Sequence, residues 1–295
     1  MSYRALITGA TGLLGQALLA NLPAGYRLYA TASRSPSDEL LTGEDFLAFS
    51  LTEEDFSPLA RFCKPDVVIN CAAVTDHALC ENNPALAQAI NATAVERLTR
   101  LFPDAYFIQV STDAVFGDDV VMPDESVPPV PFSVYGKTKL AGESFLLSAL
   151  PSSSVVLRTT IVGLGGRRHT PSLAEWILRT LRSGTPLNLY TDAVFTPVSV
   201  WDFLPVITWC IDQRPTSVLH ACGSQAVSKH DFGYLLARHC GLDTGLIRPA
   251  ELARSAHGAC RRMNQSLSSS KLHHLRGKAL PNASDCAASI ARRFQ

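Results

Sequence analysis

The chain has 295 residues, of which 46% are hydrophobic and 18% charged, so disorder does not describe it as a whole. Lys and Arg number 26 and Asp and Glu number 26, and this zero formal charge disfavours a strongly cationic binder of nucleic acid or membrane surfaces. No apolar run approaches the roughly 20 residues of a membrane helix, and no signal-peptide pattern opens the sequence, so we expect a cytoplasmic protein. The eight cysteines form no CxxC pair, which favours reduced thiols packed as small apolar side chains.

The first half of the chain alternates short apolar runs with helical stretches. Strands are predicted at 3–8, 26–31, 66–70, 105–110 and 155–162, and helices at 13–22, 84–102 and 135–150. This rhythm predicts right-handed crossovers and a parallel α/β sheet covered on both faces. After about residue 163 the rhythm loosens, which predicts a second, smaller α/β lobe.

A glycine-rich turn follows the first predicted strand and opens the first predicted helix. Gly9 permits a tight turn, Gly12 lets the backbone approach a pyrophosphate, and Gly15 allows close packing of helix on sheet. The free N–H groups at the helix N-terminus suit phosphates. A plain structural turn is the alternative, but the strand–turn–helix context favours dinucleotide binding.

The end of the second strand indicates which dinucleotide is bound. NAD enzymes usually place an acidic residue there for the ribose hydroxyls, whereas this chain has Ser33 and Arg34. Both can hold a 2′-phosphate through charge-assisted hydrogen bonds, so we predict NADP(H) rather than NAD(H). The alternative is that Arg34 is a solvated surface residue.

Tyr135 and Lys139 are spaced i, i+4 and therefore share one face of a predicted helix. A phenol is a poor acid–base at neutral pH, and we expect the nearby lysine, together with a cationic nicotinamide, to lower the pKa of Tyr135. Ser111, Thr112 and Asp113 follow a predicted strand, where ligands of open parallel sheets bind. A helix cap or turn is the alternative for this triplet.

Several segments together resemble an extended short-chain dehydrogenase/reductase, and specifically the dTDP-4-dehydrorhamnose reductase-like branch. They span nearly the whole chain: TGATGLLG (8–15), VINCAAVT (68–75), STDAVFGD (111–118), YGKTKLAGE (135–143), LRTTIVG (157–163), FTPVSVWD (195–202) and RRMNQSLSSSKL (261–272). The resemblance implies a Rossmann domain at 1–162, completed by about 191–214. It also implies a substrate lobe formed by about 163–190 and 215–295.

The resemblance implies an NADPH-dependent reductase of a nucleotide-linked 4-keto-6-deoxysugar held between the two lobes. Thr112, Tyr135 and Lys139 would be catalytic, with Ser111 a second hydroxyl and Asn91 the support of a proton relay. The cofactor residues would be Gly9, Thr11, Gly12, Leu13, Leu14, Gly15, Ser33, Arg34, Cys71, Ala72, Ala73, Tyr135 and Lys139. The substrate residues would be Thr75, His77, Thr112, Asp113, Trp201 and Arg261.

Departures from the family pattern point to a related substrate rather than the archetypal one. Ser50, Ala78 and Ser268 stand where members of the family usually carry acidic residues. Two alternatives stay open: a non-catalytic regulatory subunit resembling that of methionine adenosyltransferase, and an NAD-dependent nucleotide-sugar epimerase or dehydratase. We expect no metal site, no nucleic-acid partner and a homodimer at the level of the family.

Overall fold

The computed structural model describes residues 3–23, 25–33, 45–165, 171–252 and 263–294. Among them, no helix combines the length and the apolar character needed to cross a membrane. The chain divides into two compact units. The first comprises Met1–Val115, Pro131–Leu157 and Leu204–Val218, and the second comprises Phe116–Val130, Arg158–Phe203 and Leu219–Gln295. Residues 116–130 thus group with the second unit, although the sequence prediction kept them in the first.

The secondary structure follows the predicted alternation in the first half of the chain. The strands are β1 (Tyr3–Thr8), β2 (Tyr26–Ala32), β3 (Phe46–Ala48), β4 (Val67–Asn70), β5 (Tyr106–Thr112), β6 (Ser154–Thr159), β7 (Ile161–Val162), β8 (Leu187–Tyr190), β9 (Val194–Phe195), β10 (Val198–Ser199), β11 (Ser217–His220), β12 (Val227–Ser228), β13 (Ile247–Ala250) and β14 (Asn264–Gln265). The α-helices are α1 (Leu13–Asn21), α2 (Ser57–Phe62), α3 (His77–Asn82), α4 (Pro84–Gln88), α5 (Ala94–Leu101), α6 (Val134–Ala149), α7 (Leu173–Arg182), α8 (Val200–Gln213), α9 (Lys229–His239), α10 (Ser270–Arg276) and α11 (Ala283–Ala291).

The first unit is built on a parallel sheet, which confirms the predicted Rossmann-type fold. Within the described residues the sheet has seven strands in the order β11-β6-β5-β4-β1-β2-β3. The strand order reverses between β1 and β4, which pair in parallel from Ala5 with Val67 to Thr8 with Asn70. Open α/β sheets bind ligands outside the carboxyl ends of the strands at such a reversal.

Buried side chains of strands and helices form the core of the first unit. Leu6, Val68 and Phe107 from β1, β4 and β5 pack with Leu59 of α2 and Leu98 of α5. Burial on both faces explains why these strands appear in the sequence as continuous apolar runs rather than alternating ones.

The second unit contains short strand pairs and helices around its own apolar core. β7 pairs with β10, β8 with β13, and β9 with both β12 and β14. The amphipathic helix α7 begins after Ser172, whose hydroxyl accepts a hydrogen bond from the Glu175 N–H (3.2 Å). Its residues Ile177 and Leu178 pack against Phe232 and Leu236 of α9.

Two predicted elements are interrupted in the structure. The predicted strand at 155–162 was wrong as one element, because the chain leaves the main sheet after β6 and β7 pairs with β10 instead. The predicted helix at 84–102 is confirmed as one helical stretch that ends at Leu101, and a π-helical turn, Ala89–Thr93, lies within it between α4 and α5.

Candidate active site

The glycine turn joins β1 to α1 and leaves little room for side chains at two of its three glycines. Gly9 has a φ of +64°, and a Cβ there would lie 2.7 Å from the Ala72 Cα. A Cβ at Gly15 would lie 2.4 Å from the Gly9 carbonyl oxygen. At Gly12, by contrast, a Cβ would approach only that oxygen, at 3.2 Å. The turn is therefore closed toward β4 and open at Gly12.

The N-terminus of α1 keeps its polar groups available. Gly12 is the N-cap residue and brings no side-chain hydrogen bond to the first turn, whose N–H groups have no partner within the helix. Leu13 opens α1 and Leu14 is buried, while Thr11 is half-buried in the turn. A positive helix end without a side-chain cap is a suitable place for an anion such as a pyrophosphate.

The other predicted cofactor residues lie at the ends of neighbouring strands. Cys71, Ala72 and Ala73 follow β4, and the Cys71 N–H donates to the Thr8 carbonyl (3.3 Å) beside the glycine turn. Ser33 follows β2 and is exposed. Arg34, predicted to bind a 2′-phosphate, and Arg261, predicted to contact substrate, lie outside the described residues.

The structure brings Thr112 and Tyr135 together. Thr112 is the last residue of β5, and Tyr135 lies in the first turn of α6, which begins after Ser133; the Ser133 hydroxyl accepts from the Gly136 N–H (3.1 Å). The Thr112 side chain is close enough to the Tyr135 phenol to lower its pKa. A Cβ at Gly136 would lie 2.1 Å from the Ala114 carbonyl oxygen, so this glycine allows α6 to approach the end of β5 closely.

Tyr135 is buried, and burial raises its pKa above the ordinary value; the neighbouring Thr112 side chain opposes this rise, and Asp113 adds to it. Lys139 is not among the groups that shift this pKa, and the joint lowering by the lysine and a cationic nicotinamide stays a prediction for the protein with its cofactor bound. Tyr135 packs with Val74 and Cys80 in an apolar cluster that the spacing of two residues on one helix could not reveal. A phenol in this setting holds its proton at neutral pH, as a proton donor must.

Lys139 is buried one turn further along α6. Its ammonium donates to the Val110 carbonyl in β5 (2.7 Å). Burial lowers the pKa of Lys139 to about 8, while Glu143 and Cys71 act in the opposite direction. The lysine is thus fixed beneath the end of β5, on the same helix as Tyr135.

Glu143 is a site residue that the sequence analysis did not single out. It is almost fully buried on α6, and the Ser111 hydroxyl donates a hydrogen bond to its carboxylate. The available signal was its position four residues after Lys139, which puts the acid and the base on one helix face. Ser111, predicted as a second hydroxyl for substrate, gives its O–H to Glu143 in the structure.

Asn91 supports this region from the π-helical turn. Its side-chain oxygen accepts from the Val74 N–H (2.8 Å), and its amide donates to the Val74 carbonyl (3.2 Å) and the Thr138 hydroxyl (3.1 Å). A Cβ at Gly142 would lie 2.3 Å from the Asn91 carbonyl oxygen, so α6 packs directly on this turn. π-Turns of this kind are frequent at functional sites.

The predicted substrate residues occupy different surroundings. The ring of His77 packs against that of Tyr135, with 4.8 Å between centroids, while Thr75 is exposed nearby. Asp113 is buried and accepts from the Thr112 hydroxyl (3.1 Å). In the second unit, Trp201 packs at the edge of the apolar core with the Arg293 guanidinium over its ring at 4.4 Å.

Ser50, Ala78 and Ser268, the three positions that depart from the family pattern, have different surroundings. The Ser50 hydroxyl pairs with that of Thr52 (2.7 Å) after β3, and Ala78 is exposed on α3. The Ser268 hydroxyl pairs with that of Ser270 (3.0 Å). Among the described residues, no group of three or more His, Cys, Asp or Glu side chains could hold a metal ion.

A family model and two relatives of similar sequence point to the same protein family. The profile of the RmlD substrate binding domain matches residues 3–295 of this chain. A protein of Haloferax volcanii, named as a probable low-salt glycan biosynthesis reductase, is 30% identical over 98% of each chain. A dTDP-4-dehydrorhamnose reductase of Mycobacterium tuberculosis is 34% identical over 91% of this chain and 86% of its own. Both comparisons extend through the two compact units.

A solved structure matches over the same extent. The crystal structure of a dTDP-4-dehydrorhamnose reductase from Clostridium acetobutylicum superposes with a TM-score of 0.85 at 27% identity and covers 99% of both chains. The similarity therefore includes the parallel sheet, the glycine turn and the helix that carries Tyr135.

Proposed function

The chain belongs to the RmlD substrate binding domain family, and on that premise we propose that it is an NADPH-dependent reductase of a nucleotide-linked 4-keto-6-deoxysugar. One observation carries the proposal: Tyr135 is buried beside the carboxyl end of β5, where Thr112 lies close enough to affect its pKa, and it shares α6 with Lys139. A carbonyl oxygen placed there would have an acid and a hydroxyl within reach.

The glycine turn fits a dinucleotide on structural grounds. Gly12 leaves space where a side chain would stand, and α1 begins with N–H groups that no side chain caps. When bound, NADPH supplies the hydride that adds to the keto carbon. Ser33 and Arg34 would hold the 2′-phosphate, and Cys71, Ala72 and Ala73 would line the cofactor where β4 ends.

Tyr135 is the proton donor of the proposed reaction. As the keto carbon accepts the hydride, the phenol gives its proton to the carbonyl oxygen, so that the C=O group becomes CH–OH. Burial raises the pKa of Tyr135, which keeps the phenol protonated before this step. The resulting phenolate regains a proton from solvent. Thr112 would hold the substrate oxygen, and Lys139 would bind the ribose hydroxyls of the cofactor.

The remaining predicted contacts define the proposed substrate site. Thr75, His77, Asp113, Trp201 and Arg261 stay predictions as residues that contact the nucleotide sugar. The substrate class follows from the family and from the reductases of similar sequence. Ser50, Ala78 and Ser268 support a sugar related to, but different from, that of the archetypal enzymes.

The two alternative functions have less support. A non-catalytic regulatory subunit would not need a buried Tyr135 in contact with Thr112. An epimerase or dehydratase recycles its cofactor and usually places an acid after the second strand, where this chain has Ser33. We further propose the cytoplasm as the compartment, which the free, mostly buried cysteines of the described residues support. A homodimer stays a prediction from the family.

The test is NADPH oxidation with a dTDP-4-keto-6-deoxysugar by wild-type protein, Tyr135→Phe and the exposed control Tyr234→Phe. We expect Tyr135→Phe to lose about 100-fold or more in kcat, because the proton donor is gone, while NADPH binding changes little. Tyr234→Phe should match wild type. Turnover of Tyr135→Phe within a few fold of wild type would make the mechanism wrong. NADPH binding without turnover, together with a co-purifying enzyme, would favour the regulatory subunit, and tightly held NAD would favour the epimerase or dehydratase.

A further inference from the structure

Lys139 is a buried cation, and a buried cation needs a compensating charge. Only 3% of the residue is exposed, and its ammonium is satisfied in part by the Val110 carbonyl. An unpaired ammonium in such surroundings loses its proton more readily than one in water. The groups that surround Lys139 therefore decide whether it is charged at neutral pH.

Among the residues that the structure describes, the titratable groups whose charge acts on Lys139 are Glu143, on α6 itself, and Cys71, after β4. Burial raises the pKa of the Cys71 thiol to about 12, so this group is neutral at physiological pH. Glu143 is 1% exposed and lies one helical turn beyond Lys139. Its carboxylate is thus the group that can offset the ammonium charge.

The Ser111 hydroxyl donates its hydrogen bond to Glu143, so this hydrogen is not available to a ligand. A serine hydroxyl has a single hydrogen to donate, and the Ser111 hydroxyl donates it to a Glu143 carboxylate oxygen. Ser111 is itself buried at the end of β5, directly before Thr112. The bond ties the carboxylate of α6 to the strand that holds the catalytic threonine.

We propose that Glu143 is a positioning residue that keeps Lys139 charged and directed at the cofactor, and that Ser111 acts through Glu143 and does not contact the substrate. The proposal deepens the reductase function and rests on it for the role of Lys139. It assigns the second hydroxyl of the site to the electrostatic support of the lysine. The expected consequence is a Lys139 that becomes neutral at lower pH when Glu143 loses its charge.

The test is a pH titration of the Lys139 side chain by NMR in protein carrying ¹³Cε-labelled lysine, with Lys139→Arg identifying the signal. Wild-type Lys139 should titrate near pH 8. In Glu143→Gln, which keeps the size of the side chain, the midpoint should fall by about 1 pH unit or more. The control is Glu96→Gln, which removes the acid of an exposed i, i+4 pair with Arg100 on α5 and should leave the midpoint unchanged.

An unchanged Lys139 midpoint in folded Glu143→Gln would overturn the proposal. If that variant does not fold, Ser111→Ala takes its place, because it removes the bond that fixes the carboxylate; its Lys139 midpoint should also fall, and an unchanged one would overturn the proposal. The titration needs neither cofactor nor substrate. Absence of keto-sugar turnover in wild type would therefore refute the proposed function without deciding the role of Glu143.

Kinetics separate an indirect role of Ser111 from contact with the substrate. If Ser111 acts through Glu143, the double variant Ser111→Ala/Glu143→Gln should have a kcat/KM within about twofold of Glu143→Gln alone. Ser111→Ala should also leave the KM for the keto sugar unchanged. Independent, multiplicative losses, or a KM that rises with Ser111→Ala, would overturn the assignment of Ser111.

Discussion

Replacing Gly15 by alanine should destabilise the protein because the methyl group has no space. Its Cβ would lie 2.4 Å from the Gly9 carbonyl oxygen and 2.7 Å from the Ala10 Cα. These are backbone atoms, and Gly9 is confined in turn by Ala72. Overpacking costs about 1–3 kcal/mol, and the better helix propensity of alanine returns about 1 kcal/mol. Since backbone must move, we expect a net loss of about 2 kcal/mol and a Tm roughly 4 °C lower or more.

The same substitution at Gly12 should change stability little and weaken NADPH binding. A Cβ there would approach only the Gly9 oxygen, at 3.2 Å, and the residue has the extended conformation (φ −81°, ψ 171°) that alanine also adopts. As an N-cap change, Gly12→Ala should cost less than about 1 kcal/mol of stability. The methyl group would, however, stand where a pyrophosphate approaches. We expect NADPH affinity to fall about tenfold or more, which is about 1.4 kcal/mol.

Two assays on Gly12→Ala and Gly15→Ala separate the effect on stability from the effect on cofactor binding. Urea unfolding measures the stability of wild type, Gly12→Ala and Gly15→Ala, and energy transfer from tryptophan to bound nicotinamide measures NADPH affinity below either transition. Wild-type stability in Gly15→Ala would refute the packing argument. Wild-type NADPH affinity in Gly12→Ala would refute the assignment of the turn to the pyrophosphate.

Two further substitutions test buried polar groups. Asn91→Ala should lower the free energy of unfolding by about 3 kcal/mol, because the buried Val74 N–H loses its partner and the Val74 carbonyl keeps only the weak Cys80 thiol donor. Exposed Asn21→Ala is the control, and a loss below about 0.5 kcal/mol for Asn91→Ala would contradict this explanation. Burial, followed by the charge of Arg158, lowers the pKa of His220 to about 4, whereas an unfolded histidine titrates near 6.5. Between these pH values the unfolded histidine is protonated and the folded one is not. The free energy of unfolding should therefore decrease by about 2 kcal/mol when the pH is lowered from 7 to 5. The His220→Gln variant should lack this component in urea unfolding at the two pH values; an equal pH dependence in both proteins would show that His220 does not cause it.

The core of the candidate site was predictable because its signals are local. A strand followed by glycines and a helix places Gly9, Gly12 and Gly15 by chain geometry alone, and the structure shows the tight turn and the close helix packing that these glycines allow. The i, i+4 spacing likewise put Tyr135 and Lys139 on one helix. Hydrophobic periodicity identified the long strands, whereas β3 has three residues and left no pattern to detect.

The electrostatic state of the site was not predictable in this way. The prediction of a lowered pKa for Tyr135 considered its neighbour on the helix and the charge of the nicotinamide, and it left out burial. The apolar cluster that buries the phenol includes Val74 and Cys80, more than 50 positions earlier in the numbering. Burial disfavours the phenolate, and it depends on packing between segments that no spacing within one helix records.

The order of the long strands and helices, the glycine turn and the helix face with Tyr135 and Lys139 could be predicted from the amino-acid sequence, because each depends on residues within a few positions of one another. Their partners could not: Ser111 pairs with Glu143, and Asn91, in the π-turn, pairs with Val74 and Thr138. A side-chain hydrogen bond across 17 to 47 positions forms only after the sheet and helices have packed. Local propensity therefore placed the reacting groups, and long-range packing set their protonation and support.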